Sequence, residues 1–92
     1  MKKTREQMME LLKVKYPKMF LRTTEEFNGN TGGIWTSAED GIEAKDEFPL
    51  FDYYAQGWRY ELGVHTEIYS FLEKHGWYSE WYDAGTVMLW QE

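Results

Sequence analysis

At 92 residues, 18% aromatic and free of cysteine, the chain fits a single domain over 1–92 with a core built from rings, and it excludes disulfide frameworks, thiolate metal sites and thiol catalysis. No apolar run nears the roughly 20 residues of a bilayer span, and MKKTREQMMELL has no signal-peptide apolar segment, so we expect a soluble cytoplasmic protein with no membrane partner. The net charge of −6 is unevenly spread: residues 1–22 carry seven basic groups and two acids, the remainder three and fourteen, which disfavours phosphate-backbone binding by the body and leaves nucleic acid out of the expected partners.

Thr4-Arg5-Glu6-Gln7 has the form of a capping box, so a helix follows, with Met8, Leu12 and Tyr16 on one face and Pro17 at its end. KMFLRTTEEF then alternates, Met19 and Leu21 against Arg22, Thr24 and Glu26, which predicts a half-buried strand. Asn28-Gly29 opens a turn region to Gly33, and GIWTSA resumes as a second strand, giving a hairpin with a glycine-rich tip. NGNTGG lacks the Lys-Ser/Thr ending of a P-loop and precedes a strand rather than a helix N-terminus, so a hairpin tip is preferred to a phosphate cradle.

From Glu39 to Asp52 the chain carries six acids, and we read most of it as an exposed loop in which Asp40, Glu43, Asp46 and Glu47 face solvent or a basic partner. It does not meet the spacing of a calcium loop, because Gly41 follows Asp40 directly. A short strand is expected through Leu50–Tyr54. A second helix is predicted from about Arg59 to His75, since Tyr60, Val64, Ile68, Phe71 and Leu72 share a side, with Gly76 closing it in the left-handed conformation. On that helix Glu61 and His65 stand four apart, a workable spacing for two metal ligands, but no third ligand is evident and no cofactor is expected.

HGWYSEWYDAGTVMLW holds three of the five tryptophans in two strand-like runs, with Asp83-Ala84-Gly85 as a three-residue turn and Gly85 left-handed. The register this fixes pairs Tyr82 with Thr86, Trp81 with Val87 and Ser79 with Leu89. One face shows Trp77, Ser79, Trp81, Val87 and Leu89, and is the expected core. The other shows Tyr78, Glu80, Tyr82, Thr86, Met88 and Trp90. We expect this second face to be an interface unless loop 39–55 or the N-terminal helix covers it, because Tyr, Trp and Met are enriched in interface cores. Ser37, Ser70 and Ser79 lie in no nucleophile motif and two histidines are few, so no catalytic residues are expected.

Together TTEEFNGNTGGIWTSAEDG, PLFDYY and FLEKHGWYSEWYDAGTVMLW resemble small proteins encoded by bacteriophages and prophages of Gram-positive bacteria, over about residues 16 to 90. The resemblance implies an accessory protein acting in the host cytoplasm and carries no functional residues. The expected fold is α+β, an antiparallel sheet of about four or five strands with two helices mainly on one face. The expected function is non-enzymatic protein binding, with self-association as one form. Two alternatives stand beside it: a ligand pocket or small enzyme formed by Trp35, Tyr53, Tyr54 and the Glu61/His65 pair, and an acidic mimic of nucleic acid.

Overall fold

The computed structural model describes residues 2–92 as a mixed α+β fold. Helix α1 (Arg5–Lys15) starts on the expected capping box, Thr4 Oγ1 accepting from the Gln7 N–H and Gln7 Oε1 from the Thr4 N–H. It buries Met8 and Leu12 and hands over to the buried Tyr16. Strand β1 (Arg22–Thr23) is only two residues long and is followed by a short helix, α2 (Thr24–Asn28), where the sequence reading expected the strand to run on to Glu26. The reason is local: Glu26 turns back and accepts from the Thr23 N–H at 3.1 Å, so Thr23-x-x-Glu26 opens a helix as Thr4-x-x-Gln7 does. Gly29, at φ 85, closes it.

Strand β2 (Ile34–Ser37) pairs with β1 and with the last strand, β6 (Thr86–Gln91), which pairs with β5 (Trp77–Asp83). The sheet order is β1-β2-β6-β5, all antiparallel. A separate two-stranded hairpin, β3 (Tyr60–Glu61) with β4 (Val64–His65), leads directly into α3 (Thr66–Lys74). The long helix expected from Arg59 therefore begins only at Thr66. Leu62 and Gly63 both have positive φ (50° and 80°), the requirement of the tight hairpin turn that reverses the chain there. Gly76 ends α3 at φ 80, as predicted.

Within β5–β6 the pairs Trp81–Val87 and Ser79–Leu89 have the predicted register, but Thr86 faces Asp83 rather than Tyr82. A bulge between Trp81 and Asp83 absorbs Tyr82 and shortens the loop to Ala84-Gly85, which Asp83 closes by accepting from the Gly85 N–H at 2.9 Å. Gly85 is not left-handed; the carboxyl end of the exposed Glu39 lies 2.9 Å from where a Cβ would stand.

The expected core face holds. Trp77, Val87 and Leu89 join Ile34, Met8, Leu12, Ile68 and Leu72 in one buried cluster, and the Trp77 indole donates to the Lys3 carbonyl at 2.8 Å. The second sheet face has its own cover, neither the acidic loop nor α1. Phe27 of α2 contacts Trp35 and Tyr82, Phe20 meets Trp35 edge-on, and Trp90 lies against Gly33. Met88 is buried beneath them.

A Cβ on Gly33 would stand 2.5 Å from the Trp90 ring and 2.9 Å from the Thr24 methyl. Gly33→Ala is therefore expected to cost about 1–3 kcal/mol by overpacking, seen as a lower urea midpoint. An unchanged midpoint would mean that Trp90 is free to leave this seat.

Candidate functional site

The β3–β4 hairpin is held from below by a histidine. His65 is buried, and its Nδ1 accepts from the Glu67 N–H at 3.0 Å, which makes it the N-cap of α3. An accepting Nδ1 places the ring proton on Nε2, and that nitrogen stands 3.0 Å from both carboxylate oxygens of Asp46. Asp46 also accepts from Arg59 Nε at 2.9 Å. With both ring nitrogens committed, His65 has none to offer an external proton, so this His–Asp contact is built for fastening and not for general base work.

Glu67 fastens the same region from the other side. It accepts from the Tyr16 hydroxyl at 2.7 Å and from the Lys45 N–H at 3.0 Å, joining the end of α1, the acidic segment and the first turn of α3. Burial first, then the contact with Glu67, pushes the Tyr16 phenol far above its ordinary range. For Asp46 burial opposes the charge, but the His65 and Arg59 hydrogen bonds prevail and hold the carboxyl below its usual value. Glu67 is likewise lowered, with burial opposing and the Lys45 and Tyr16 contacts prevailing. Glu25, paired with Arg5 at 2.6 Å, is lowered to about 2.

These anchors change the picture of residues 39–52. Asp40, Glu43, Asp46 and Glu47 are all exposed, as expected, but the segment is not a free solvated loop. Ala44, Leu50 and Phe51 are buried, Asp40 accepts from the Phe20 N–H, and Glu43 bridges to Pro49. In place of the strand expected over Leu50–Tyr54 there is a single bridge, Phe51 to Val64. The chain then emerges as an aromatic surface. Tyr53 is half exposed, Tyr54 79%, Trp58 81% and Leu62 85%. Leu62 combines that exposure with a left-handed backbone, which a branched apolar residue adopts at a cost of about 1–2 kcal/mol. The Trp81 indole donates to its carbonyl at 2.8 Å and holds the turn in place. Arg59 stacks on Phe48 (3.6 Å) and Trp58 (4.7 Å). Tyr53 stands perpendicular to both Tyr54 and Trp81, and these rings, with Leu62 and Gly63, line a cavity of ≈ 540 Å³.

The residues singled out from the sequence are distributed differently from expectation. Glu61 and His65 do not share a helix face: Tyr60 pairs with His65 and Glu61 with Val64, so the two side chains leave the hairpin on opposite sides, and the metal pair dissolves. Among the described residues no group of three His, Asp or Glu is placed to hold a metal ion. Trp35 does not join Tyr53 and Tyr54, because it faces the second side of the sheet while Trp81 faces the first. On that second side Tyr78, Glu80 and Tyr82 are exposed, Trp90 is half buried with its indole donating to Glu80 at 3.1 Å, and Met88 is buried. Trp58 and Leu62 were missed. The signal was present in Leu62-Gly63, a small residue beside an apolar one in an otherwise helical pattern.

No protein-family model, curated protein or solved structure matches the chain. No helix among the described residues is long and apolar enough to cross a membrane.

His65→Ala removes a cap and an Asp46 partner together and should cost about 2–3 kcal/mol in urea unfolding, while His65→Asn should recover about 1 kcal/mol of that through its capping oxygen. The lowered carboxyl groups of Asp46, Glu67 and Glu25 contribute stability that is complete above the ordinary carboxylate range. It is lost as pH falls from about 5 toward 2. The melting temperature should drop through that window, and Glu67→Gln should flatten the drop.

Proposed function

We propose that the protein is a non-enzymatic binding module whose contact surface is the aromatic loop and hairpin tip, Tyr53, Tyr54, Trp58 and Leu62, and whose partner is another protein. The observation that carries this reading is Leu62. A hairpin turn with two positive-φ residues is served best by Asn or Gly, yet here a leucine occupies the first of them, 85% exposed and contributing almost no burial within its own chain. A side chain that strains the backbone and gains nothing from folding is expected where a second molecule covers it. Trp58 and Tyr54 beside it are the residue types that dominate binding energy at protein interfaces.

The surroundings support the same reading. The exposed carboxylates Asp52 and Glu61 adjoin Tyr53 and Leu62 along the chain, which suits an apolar centre with a polar rim. Arg59 is tied to Asp46, so it is not free to repel a basic partner. Tyr78 and Tyr82 offer a smaller second contact area for self-association. The resemblance to phage-encoded proteins makes a host cytoplasmic protein the expected partner class.

Leu62→Asn is the decisive variant, because stability and binding should move in opposite directions. Its unfolding free energy should rise by about 1 kcal/mol as the backbone strain is relieved, while partner capture falls. Trp58→Ala should lower capture with little change in stability. Capture undiminished in both variants would overturn the reading, and sedimentation of Tyr82→Glu against the parent protein checks the self-association surface.

A further inference from the structure

The cavity beside the hairpin tip has a chemistry narrower than general apolar contact. Tyr53 supplies its corner: the Tyr54 ring stands 5.2 Å away at 83° and the Trp81 ring 5.0 Å away at 89°. Two perpendicular ring contacts around one tyrosine set three rings in differing planes along the lining of one cavity. Rings so arranged favour a compact cation, which is attracted to an aromatic face when within about 6 Å of its centroid. The volume, ≈ 540 Å³, lies in the range of roughly 300–1,000 Å³ typical of small-ligand sites.

Charge selects the same class of occupant. Between Lys45 and Lys74 the chain has a single Lys or Arg, Arg59, and Asp46 pairs with it. The lining residues include no Lys or Arg, and the exposed carboxylates Asp52 and Glu61 are the chain neighbours of Tyr53 and Leu62, so the local charge along these segments is negative. Elsewhere the protein seats its own cations on rings: Lys15 over Tyr16 and Phe71, Arg22 over Phe20, Arg59 over Phe48 and Trp58. Among the described residues no such cation lies over Tyr53, Tyr54 or Trp81. An anionic ligand would find no base among the lining residues.

We propose that the Tyr53–Tyr54–Trp81 cavity binds an alkylammonium group, the head of a lysine or methylated lysine side chain carried by the protein partner. This rests on the binding-module reading and names what the partner inserts. The lysine methylenes lie along Leu62 and the ammonium sits against the rings, with Asp52 and Glu61 drawing it in.

The test is a titration of the intact protein, following the Trp81 indole N–H resonance. The probes are Nα-acetyl-lysine amide, its trimethyllysine analogue, and the uncharged isostere with a tert-butyl head. Both ammonium probes should give saturable shifts, and the isostere should bind roughly five- to tenfold more weakly. Tyr54→Ala should weaken the ammonium probes by a similar factor, roughly five- to tenfold; Tyr54 is 79% exposed, so the fold survives its loss, and an unchanged urea midpoint checks this. An isostere that binds as tightly as the cations, or shifts that do not saturate, would overturn the proposal. Phosphatidylcholine vesicles that bind the protein but not Tyr54→Ala would assign the site to a lipid headgroup and overturn the lysine source. Capture of the partner that survives Tyr54→Ala and is lost in Leu62→Asn would overturn this inference alone, leaving the module reading in place. Capture indifferent to both would overturn the reading beneath it.

Discussion

A buried imidazole has two nitrogens to satisfy, and in this protein two different parts of the chain satisfy them. His65 Nδ1 takes the Glu67 N–H and starts α3; Nε2 faces Asp46, which holds Arg59. Leaving either nitrogen unpaired in that position would cost on the order of 1–3 kcal/mol, a large share of a small domain's stability. The aromatic surface inherits its position from this arrangement. His65 closes the hairpin whose turn carries Leu62, Asp46 fixes the segment that leads into Tyr53 and Tyr54, and Arg59 draws Trp58 and Phe48 together. Glu67, held by Tyr16 and the Lys45 N–H, ties the same assembly to α1.

The division of the rings between inside and outside follows from size. A chain of 92 residues has little interior, and Trp77 alone fills much of it, with Ile34, Val87 and Leu89 around it. Phe20, Phe27, Trp35 and Trp90 form a second, thinner cluster across the sheet, closed by the five-residue helix α2. With both faces of the sheet occupied, the remaining large side chains have no interior left to enter. Those of the 53–62 loop stay at the surface, and the Arg59–Asp46 ion pair with the His65–Asp46 hydrogen bond ties that region together. Rigid aromatic side chains lose little freedom on binding, which favours affinity over a small area.

Much of this was legible in the residues. The capping box at Thr4, the apolar face of α1, the two faces of β5–β6 and the left-handed Gly76 all follow from short-range rules, and the structure has them. The misreadings share one cause: a local pattern that fits two structures. Tyr60, Val64 and Ile68 recur every four residues, which suits a helix, but Tyr60 and Val64 fall as well on opposite strands of a hairpin when Leu62-Gly63 turns the chain. The turn was hidden because leucine is not a residue that favours positive φ. At Thr23–Glu26 alternation suggested a strand while the hydroxyl and carboxylate spacing specified a helix start. On the Met88 side of the sheet the strand reading of Thr23–Glu26 hides the cover that α2 supplies to Trp35 and Met88, while Tyr78, Glu80 and Tyr82 stay exposed there. What no local rule could reach is the His65–Asp46 contact, which spans nineteen residues.

The outer strands of the sheet decide how much free backbone edge lies near the exposed rings. β1 is two residues long and β5 is interrupted by the bulge at Tyr82. β1 is too short to offer another chain a row of unpaired backbone groups, and the bulge limits the regular edge of β5 to Trp77–Trp81. The exposed tryptophan and leucine sit instead beside a hairpin whose strands have two residues each, too short to template a growing ladder. Ordered aggregation needs adhesive side chains and a free backbone edge in the same place. At the hairpin tip the two are kept apart, since the exposed Trp58 and Leu62 there stand beside no strand edge long enough to seed a fibril.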